Sequence, residues 1–264
     1  MNIGIVGCAG RMGRMLVQEV LNTPACALSG GTEPAGAAVG TDMGLLVGPK
    51  TIGVTVGSDA AQLFAVSDAV IDFTVPAATL YHASVAAKTG KVLVIGTTGL
   101  GADVIAAIET AAKSAPIVYA PNFSVGVNVL FALTEKLAAT LGPDYDIDIL
   151  EMHHRHKVDA PSGTALGLGE AAARGRNVRL SDVARKTRDG QVGARPAGEI
   201  GFATLRGGDV VGDHTVMFAA EGERVELTHK ASSRGVFAKG AVRAALWAKG
   251  KKPGLYNMRD VLGL

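Results

Sequence analysis

Cysteine is nearly absent: Cys8 and Cys26 are the only two in 264 residues. Two thiols cannot make a disulfide framework, and their separation matches no metal-ligand spacing. Both sit among apolar neighbours and read as small buried hydrophobes rather than reactive groups. Net charge is scarce as well, because 26 Lys and Arg against 24 Asp and Glu leave only +2. So slight an excess gives no general field for a nucleic-acid polyanion, and basic residues can matter only where they cluster. Long apolar runs are missing too: none approaches the ~18 residues that a membrane helix needs. The opening stretch, Met1 to Gly7, has no basic segment ahead of a long apolar one, so no secretory signal is expected. These absences point to a soluble, cytosolic chain.

What is present is a globular composition, 48% hydrophobic and 19% charged, in a length that suits two modest cores. The 35 glycines gather where turns are needed. Short β-rich runs alternate with helical patterns from the start: strand 2–7, helix 11–22, strand 26–33, strand 69–74, helix 76–90, strand then turn 91–99, helix 102–115, and a strand running into a loop over 116–124. The glycine-rich stretch 36–54 reads as a loop, and Ser58 is the candidate N-cap of the helix after it. Strand–helix alternation of this kind predicts a parallel sheet covered on both faces. Beyond 124 the rhythm changes to a long helix, an alternating strand over 144–154, a helix over 163–175, a polar arginine-rich stretch and three consecutive strand-like runs. The expected fold is therefore α/β: an N-terminal Rossmann-type dinucleotide-binding domain over 1–124, then a C-terminal α+β domain over 125–234 with a mixed or antiparallel sheet. The last segment, 235–264, is expected to return to the first domain.

Two features carry chemistry. The turn after the first strand is "GCAGRMG", with Gly7, Gly10 and Gly13 opening a helix. Such glycines give a tight turn, close approach to a pyrophosphate and close helix–strand packing, while the helix N-terminus offers amides to the phosphates. Glu33, at the end of the second strand, suits the hydroxyls of an adenosine ribose. The turns "DFT" (72–74), "GTTG" (96–99) and "APNF" (120–123) end strands on the same sheet edge, where open α/β sheets bind ligands.

The second feature is "EMHHRHKVDAPSGTA" (151–165), with three histidines, an arginine and a lysine in five positions. A metal site, as in a hydrolase using His154 and His156, lacks a recognisable third ligand, and Arg155 and Lys157 would repel a cation. A merely solvated loop is the plain alternative. Against it, Ser162, Gly163 and Thr164 stand at a helix N-terminus that offers amides to an anion, so a small carboxylate or dicarboxylate fits. In an extended segment His153 and Lys157 would share a face and could both protonate one substrate.

These stretches, with "GFATLRGGDVVGDHTVMF" and "ELTHKASSR", closely resemble the dihydrodipicolinate (4-hydroxy-tetrahydrodipicolinate) reductase family over essentially the whole chain. The resemblance implies reduction of a cyclic dicarboxylate to tetrahydrodipicolinate by NADH or NADPH, on the diaminopimelate route to lysine. It implies His153 as catalytic proton donor or acceptor and Lys157 as proton donor. His154, Gly163 and Thr164 would bind the substrate carboxylates. Cofactor contacts carry over to Gly7, Cys8, Ala9, Gly10, Arg11 and Met12, to Glu33, to Gly96, Thr97 and Thr98, and to Ala120, Pro121, Asn122 and Phe123. It implies a homotetramer built through the second domain's sheet, and the missing third ligand leaves no metal expected. Three positions depart from many relatives: Pro34 stands where an arginine suits a 2′-phosphate, which tilts the reading towards NADH, Ala9 replaces a glycine, and Val75 replaces an arginine. A non-catalytic nucleotide sensor on the same fold is the rival reading, and it leaves the 151–165 stretch without a task.

Overall fold

The computed structural model describes residues 1–264. In chain order the first part runs β1 (Asn2–Val6), α1 (Arg11–Asn22), β2 (Ala27–Thr32), β3 (Val56–Gly57), α2 (Ala60–Val66), β4 (Ala69–Asp72), α3 (Pro76–Thr89), β5 (Val92–Ile95), α4 (Ala102–Ala111) and β6 (Pro116–Tyr119). Next come α5 (Val125–Leu141), β7 (Asp146–His153), α6 (Gly163–Gly175), α7 (Leu180–Val183), β8 (Ala184–Arg185), β9 (Ile200–Arg206), β10 (Gly212–Ala220) and β11 (Glu223–Ala231). The chain ends with α8 (Gly235–Ala248), β12 (Gly254–Tyr256) and α9 (Met258–Leu262). Two units result: Met1–Val125 with Arg234–Gly263, and Gly126–Ser233.

The first unit is a seven-stranded parallel sheet in the order β12-β6-β5-β4-β1-β2-β3. Its strands are apolar on both sides because side chains alternate between two covered faces. Val92 and Val94 of β5 join one core with Leu16, Val20 and the α8 alanines, whereas Leu93 and Ile95 join the other with Phe64, Ala83 and Ile108. Helix α8 approaches so closely that a Cβ on Gly240 would lie 1.7 Å from the Phe123 carbonyl oxygen.

The second unit carries a mixed sheet in the order β11-β10-β7-β9-β8, with β10 antiparallel to both neighbours and β7 parallel to β9. One face packs Ile147, Ile149, Val216 and Phe218 against Leu130, Ala138, Leu168 and Ala172 of α5 and α6. Along β7 the alternation places Glu151 and His153 on that same covered face. Leu150, Met152 and Met217, on the opposite face, stay half-buried, and Leu205 of β9 is exposed.

Several local expectations change. The N-cap of α2 is Asp59, not Ser58: its carboxylate accepts from the Ala61 and Gln62 amides at 2.8 and 3.3 Å, and its negative charge suits a helix N-terminus better than a hydroxyl. The loop over 36–54 contains one 3₁₀ turn, Met43–Leu46, which Asp42 caps and whose Met43 is fully buried. The arginine-rich stretch is ordered, because Arg188 and Arg195 pair with Asp148 and Arg185 pairs with Glu199. Those partners lie far apart in sequence, so periodicity could not reveal them. On α1, Gly13 and Val17 are buried beside Leu16 and Val20, while Met12 and Met15 are only half-buried.

The Gly240→Ala variant should lose about 2 kcal/mol of stability, since overpacking against a fixed backbone atom exceeds the ~1 kcal/mol gain in helix propensity. Urea unfolding measures this, and a variant as stable as the parent would contradict the close α8 packing.

Candidate active site

At the end of β1, Gly7 turns with φ +69°, a conformation open to glycine at little cost. A Cβ on Gly13 would lie 2.0 Å from the Gly7 carbonyl oxygen, so only glycine lets α1 start this close to the turn. Gly10 is the N-cap of α1 and offers no side chain to occupy the first amides. The Ala9 amide donates to Glu33 Oε1 at 2.6 Å, which joins the acidic residue to the phosphate loop. A cleft of about 650 Å³ opens here, lined by Gly7, Gly10, Glu33, Pro34, Asp59, Thr74, Tyr81 and His82 among others. A second hollow of about 290 Å³ is lined by Arg11, Met12, Gly96, Thr98, Pro121, Asn122 and Phe123, together with Phe73, Arg234 and Phe237.

Four predicted cofactor residues line neither hollow. Cys8 is fully buried, and burial followed by the Glu33 charge pushes its thiol up to about 12, so it is inert. Ala9 acts through its amide, and Ala120 is buried. Thr97 is also buried, and its hydroxyl donates to Asp72 Oδ1 at 3.2 Å. Asp72 is itself fully buried at the end of β4. It accepts from the Thr74 amide and hydroxyl at 2.9 and 2.6 Å and from the Thr79 hydroxyl at 2.9 Å, and it pairs with His82 Nδ1 at 2.8 Å. Burial raises its carboxyl, but His82 and Thr74 outweigh that and hold it below the usual range. The "DFT" and "GTT" turns are thus clamped to one carboxylate. Phe73, within the "DFT" turn, fills with its ring the space a Cβ on Gly96 would need, while Tyr81 and His82 line the cleft from outside every turn motif. An aromatic next to a glycine carries no periodic signal. The uncapped amides, the glycine close approaches and Glu33 beside an open cleft fit a nicotinamide dinucleotide.

In the second unit β7 ends at His153, which is only 8% exposed. Its Nδ1 lies 2.5 Å from Glu151 Oε2, and Glu151 is 1% exposed. Arg206 of β9 donates to both oxygens of Glu151, at 2.8 and 2.9 Å, and also to the Asp159 carbonyl at 2.7 Å. The Ser162 amide donates to Glu151 Oε1 at 3.0 Å. Burial raises the Glu151 carboxyl, yet Arg206, His153 and Ser162 bring it below its ordinary value. Burial lowers the His153 imidazolium; Glu151 opposes this, and the charges of Lys157 and Arg206 add to it. His214 of β10 packs edge-on to His153, 5.1 Å between centroids, and is pushed down to about 4 chiefly by burial.

One expectation about this stretch fails. The segment after His153 is not extended: the Lys157 amide donates to the His154 carbonyl at 3.1 Å, so the chain turns and strand periodicity does not align Lys157 with His153. Lys157 instead pairs with Asp159, two residues on, at 2.8 Å. Ser162 caps α6 by accepting from the Ala165 amide, which sets Gly163 and Thr164 in the first turn, with Gly163 exposed. The rings of His154 and His156 stand 6.3 Å apart, and no group of three His, Cys, Asp or Glu side chains is arranged to hold a metal ion.

Comparison with known proteins places this geometry. The family model for the N-terminus of dihydrodipicolinate reductase matches residues 1–123, and that for its C-terminus matches residues 126–262. A 4-hydroxy-tetrahydrodipicolinate reductase from Dinoroseobacter shibae is 56% identical, covering 99% of this chain and 98% of the relative. One from Ruegeria pomeroyi is 57% identical over the same shares. Among solved structures, a dipicolinate-bound dihydrodipicolinate reductase from Paenisporosarcina sp. TG-14 shares the fold, with TM-score 0.79, 24% identity and 97% of each chain covered. GenD2 from gentamicin A biosynthesis, solved in complex with NAD, has TM-score 0.59 at 14% identity and covers 99% of this chain and 90% of that one. On the matches to both halves and the identity over nearly its whole length, the chain belongs to the dihydrodipicolinate reductase family.

Proposed function

We propose that the chain reduces 4-hydroxy-tetrahydrodipicolinate to tetrahydrodipicolinate, the step of diaminopimelate and lysine synthesis its relatives are named for, with His153 and Lys157 as the proton donors. The buried Glu151–His153 pair beside the α6 N-terminus carries this reading. The nicotinamide cofactor, when bound through Gly7, Gly10, Arg11, Met12, Glu33, Gly96, Thr98 and Pro121 to Phe123, supplies hydride, while Cys8, Ala9, Thr97 and Ala120 back this lining from within. His154, Gly163 and Thr164 hold the substrate carboxylates, drawing on the partial positive charge of the helix end. The 4-hydroxyl leaves as water and the ring takes up one hydride and one proton; hydride arrival leaves negative charge on the ring, and a positioned acid must neutralise it. With Nδ1 engaged by Glu151, His153 presents Nε2 for that transfer. The Lys157 ammonium is a second donor. A nucleotide sensor would have no use for either group.

The cofactor cleft contains two carboxylates, Glu33 and Asp59, and Pro34 where a cation would be needed for a 2′-phosphate, while Arg11 lines the other hollow. This favours NADH. In the second unit, the half-buried Leu150, Met152 and Met217, with exposed Leu205, form an apolar sheet face that no element of the unit covers, and this supports assembly through the sheet into a homotetramer. No helix is long and apolar enough to cross a membrane, and the two thiols are unpaired, which suits a reducing cytosol.

Each of His153→Ala and Lys157→Ala should lower kcat by roughly 10²-fold or more, with NADH affinity within about twofold of the parent. Stopped-flow oxidation of NADH by freshly formed substrate, beside NADH titration, tests this, and a matching loss of NADH binding would refute the roles. For the cofactor, kcat/KM with NADH should exceed that with NADPH by about tenfold, the worth of one like-charge approach. Equal values would remove the argument from Glu33 and Asp59. Light scattering should give a mass near four times the 26.9 kDa chain, and a monomeric mass would leave the apolar face unexplained.

A further inference from the structure

We propose that Glu151 is the positioning residue of this site: it fixes the orientation and tautomer of His153 and, through Arg206, holds the turn that carries Lys157. The inference rests on the assignment of His153 as proton donor and extends it to a residue that touches neither substrate nor cofactor.

Both oxygens of this carboxylate are used. Oε2 faces His153 Nδ1 at 2.5 Å and takes one Arg206 hydrogen bond at 2.8 Å; Oε1 takes the other at 2.9 Å and the Ser162 amide at 3.0 Å. Donors therefore converge on it from the strand's own end, from β9 and from the cap of α6. A carboxylate so buried and matched stays ionised and accepts only, which obliges His153 to carry its proton on Nδ1. Nε2 is then left as the atom that gains and gives a proton. It faces Gly212, where a Cβ would stand 3.0 Å away, so its surroundings are kept open by a residue with no side chain. Arg206 extends the same anchor to the Asp159 carbonyl, and the Asp159 side chain holds Lys157 at 2.8 Å. One carboxylate thus sets the frame for both proton donors.

The charges around His153 give the proposal a sign. Glu151 on its own strand stabilises the imidazolium, whereas Arg206 on β9 and Lys157 in the following turn oppose it. His214 on β10 packs edge-on and is itself neutral near pH 7, and His229 on β11 pairs with His214 across the two strands. If protonated His153 is the donor, kcat falls as pH rises through its pKa. Removing the Glu151 charge lowers that pKa and moves the alkaline limb to lower pH. Removing the Arg206 charge raises it and moves the limb to higher pH. A role confined to stability would move neither.

The experiment measures kcat, KM and NADH affinity against pH for the full-length chain, for Glu151→Gln, Arg206→Gln and His153→Ala, and for the Glu151→Gln/His153→Ala double variant, with melting temperatures alongside. Glu151→Gln should lower kcat by roughly 10- to 100-fold, part of the ~10²- to 10⁴-fold that a positioned general acid contributes, with KM changed by less than about threefold. Its alkaline limb should shift opposite to that of Arg206→Gln. In the His153→Ala background, Glu151→Gln should cost several-fold less than in the parent, because the share acting through His153 is gone and only the share acting through Arg206 on Lys157 remains. Parent-like kcat and pH profile in Glu151→Gln, limbs shifting the same way, or multiplicative losses in the double variant would each overturn the proposal. Full turnover by His153→Ala alone would instead overturn the proton-donor assignment beneath it. Should Glu151→Gln fail to fold, the opposite-sign test passes to Arg206→Gln alone, where a limb that moved to lower pH or stayed in place would be fatal.

Discussion

A carboxylate withdrawn from water has to be surrounded by donors, and this chain meets that demand once in each unit. Asp72 ends β4 with no exposed surface, and Glu151 sits two residues from the end of β7 with almost none. An uncompensated charge at either place would be strongly unfavourable, so each draws hydroxyls, amides, an imidazole or a guanidinium from separate segments. The result is mechanical. Asp72 clamps the turns after β4 and β5 to the first turns of α3. Glu151 clamps a strand end, a neighbouring strand, a loop and a helix cap. Loops that would otherwise be the mobile parts of the fold are held in place at the ends of β4 and β7.

The glycines meet a different demand, for distance rather than charge. At Gly13 and Gly240 a side chain would overlap backbone atoms, so helix and turn can meet only where Cβ is missing. Close approach at the glycine turn of β1 and buried-charge anchoring at the end of β7 are separate solutions to one need, which is a rigid frame around groups that must stay reachable.

How much of this was legible in the sequence depends on range. Strands with apolar residues on both faces, α1 with its glycine loop and the alternation of β7 announced themselves, because their signals repeat within a few residues. The same alternation, applied to residues 151 and 153, already implied that Glu151 shares a face with His153. What stayed hidden depended on distant partners: Arg206 reaching Glu151 across 55 positions, or Arg195 reaching Asp148 across 47. The turn at Lys157 hid for the opposite reason. Extended periodicity does not reveal where the strand stops, and no glycine or proline marks the end at His153. Short terminal pieces, β12 and α9, were too brief to stand out against the helix before them.

The connectivity of the first unit has a consequence for its birth on the ribosome. Its sheet is completed by β12, and one of its two cores is closed by the alanines of α8, both of which are encoded after the whole of the second unit. Residues 126–233 can therefore collapse as they emerge, with a core drawn entirely from within that span. The parallel-sheet unit, although its first 125 residues precede that span, must wait with an open sheet edge and an uncovered apolar face until residues 234–263 leave the tunnel.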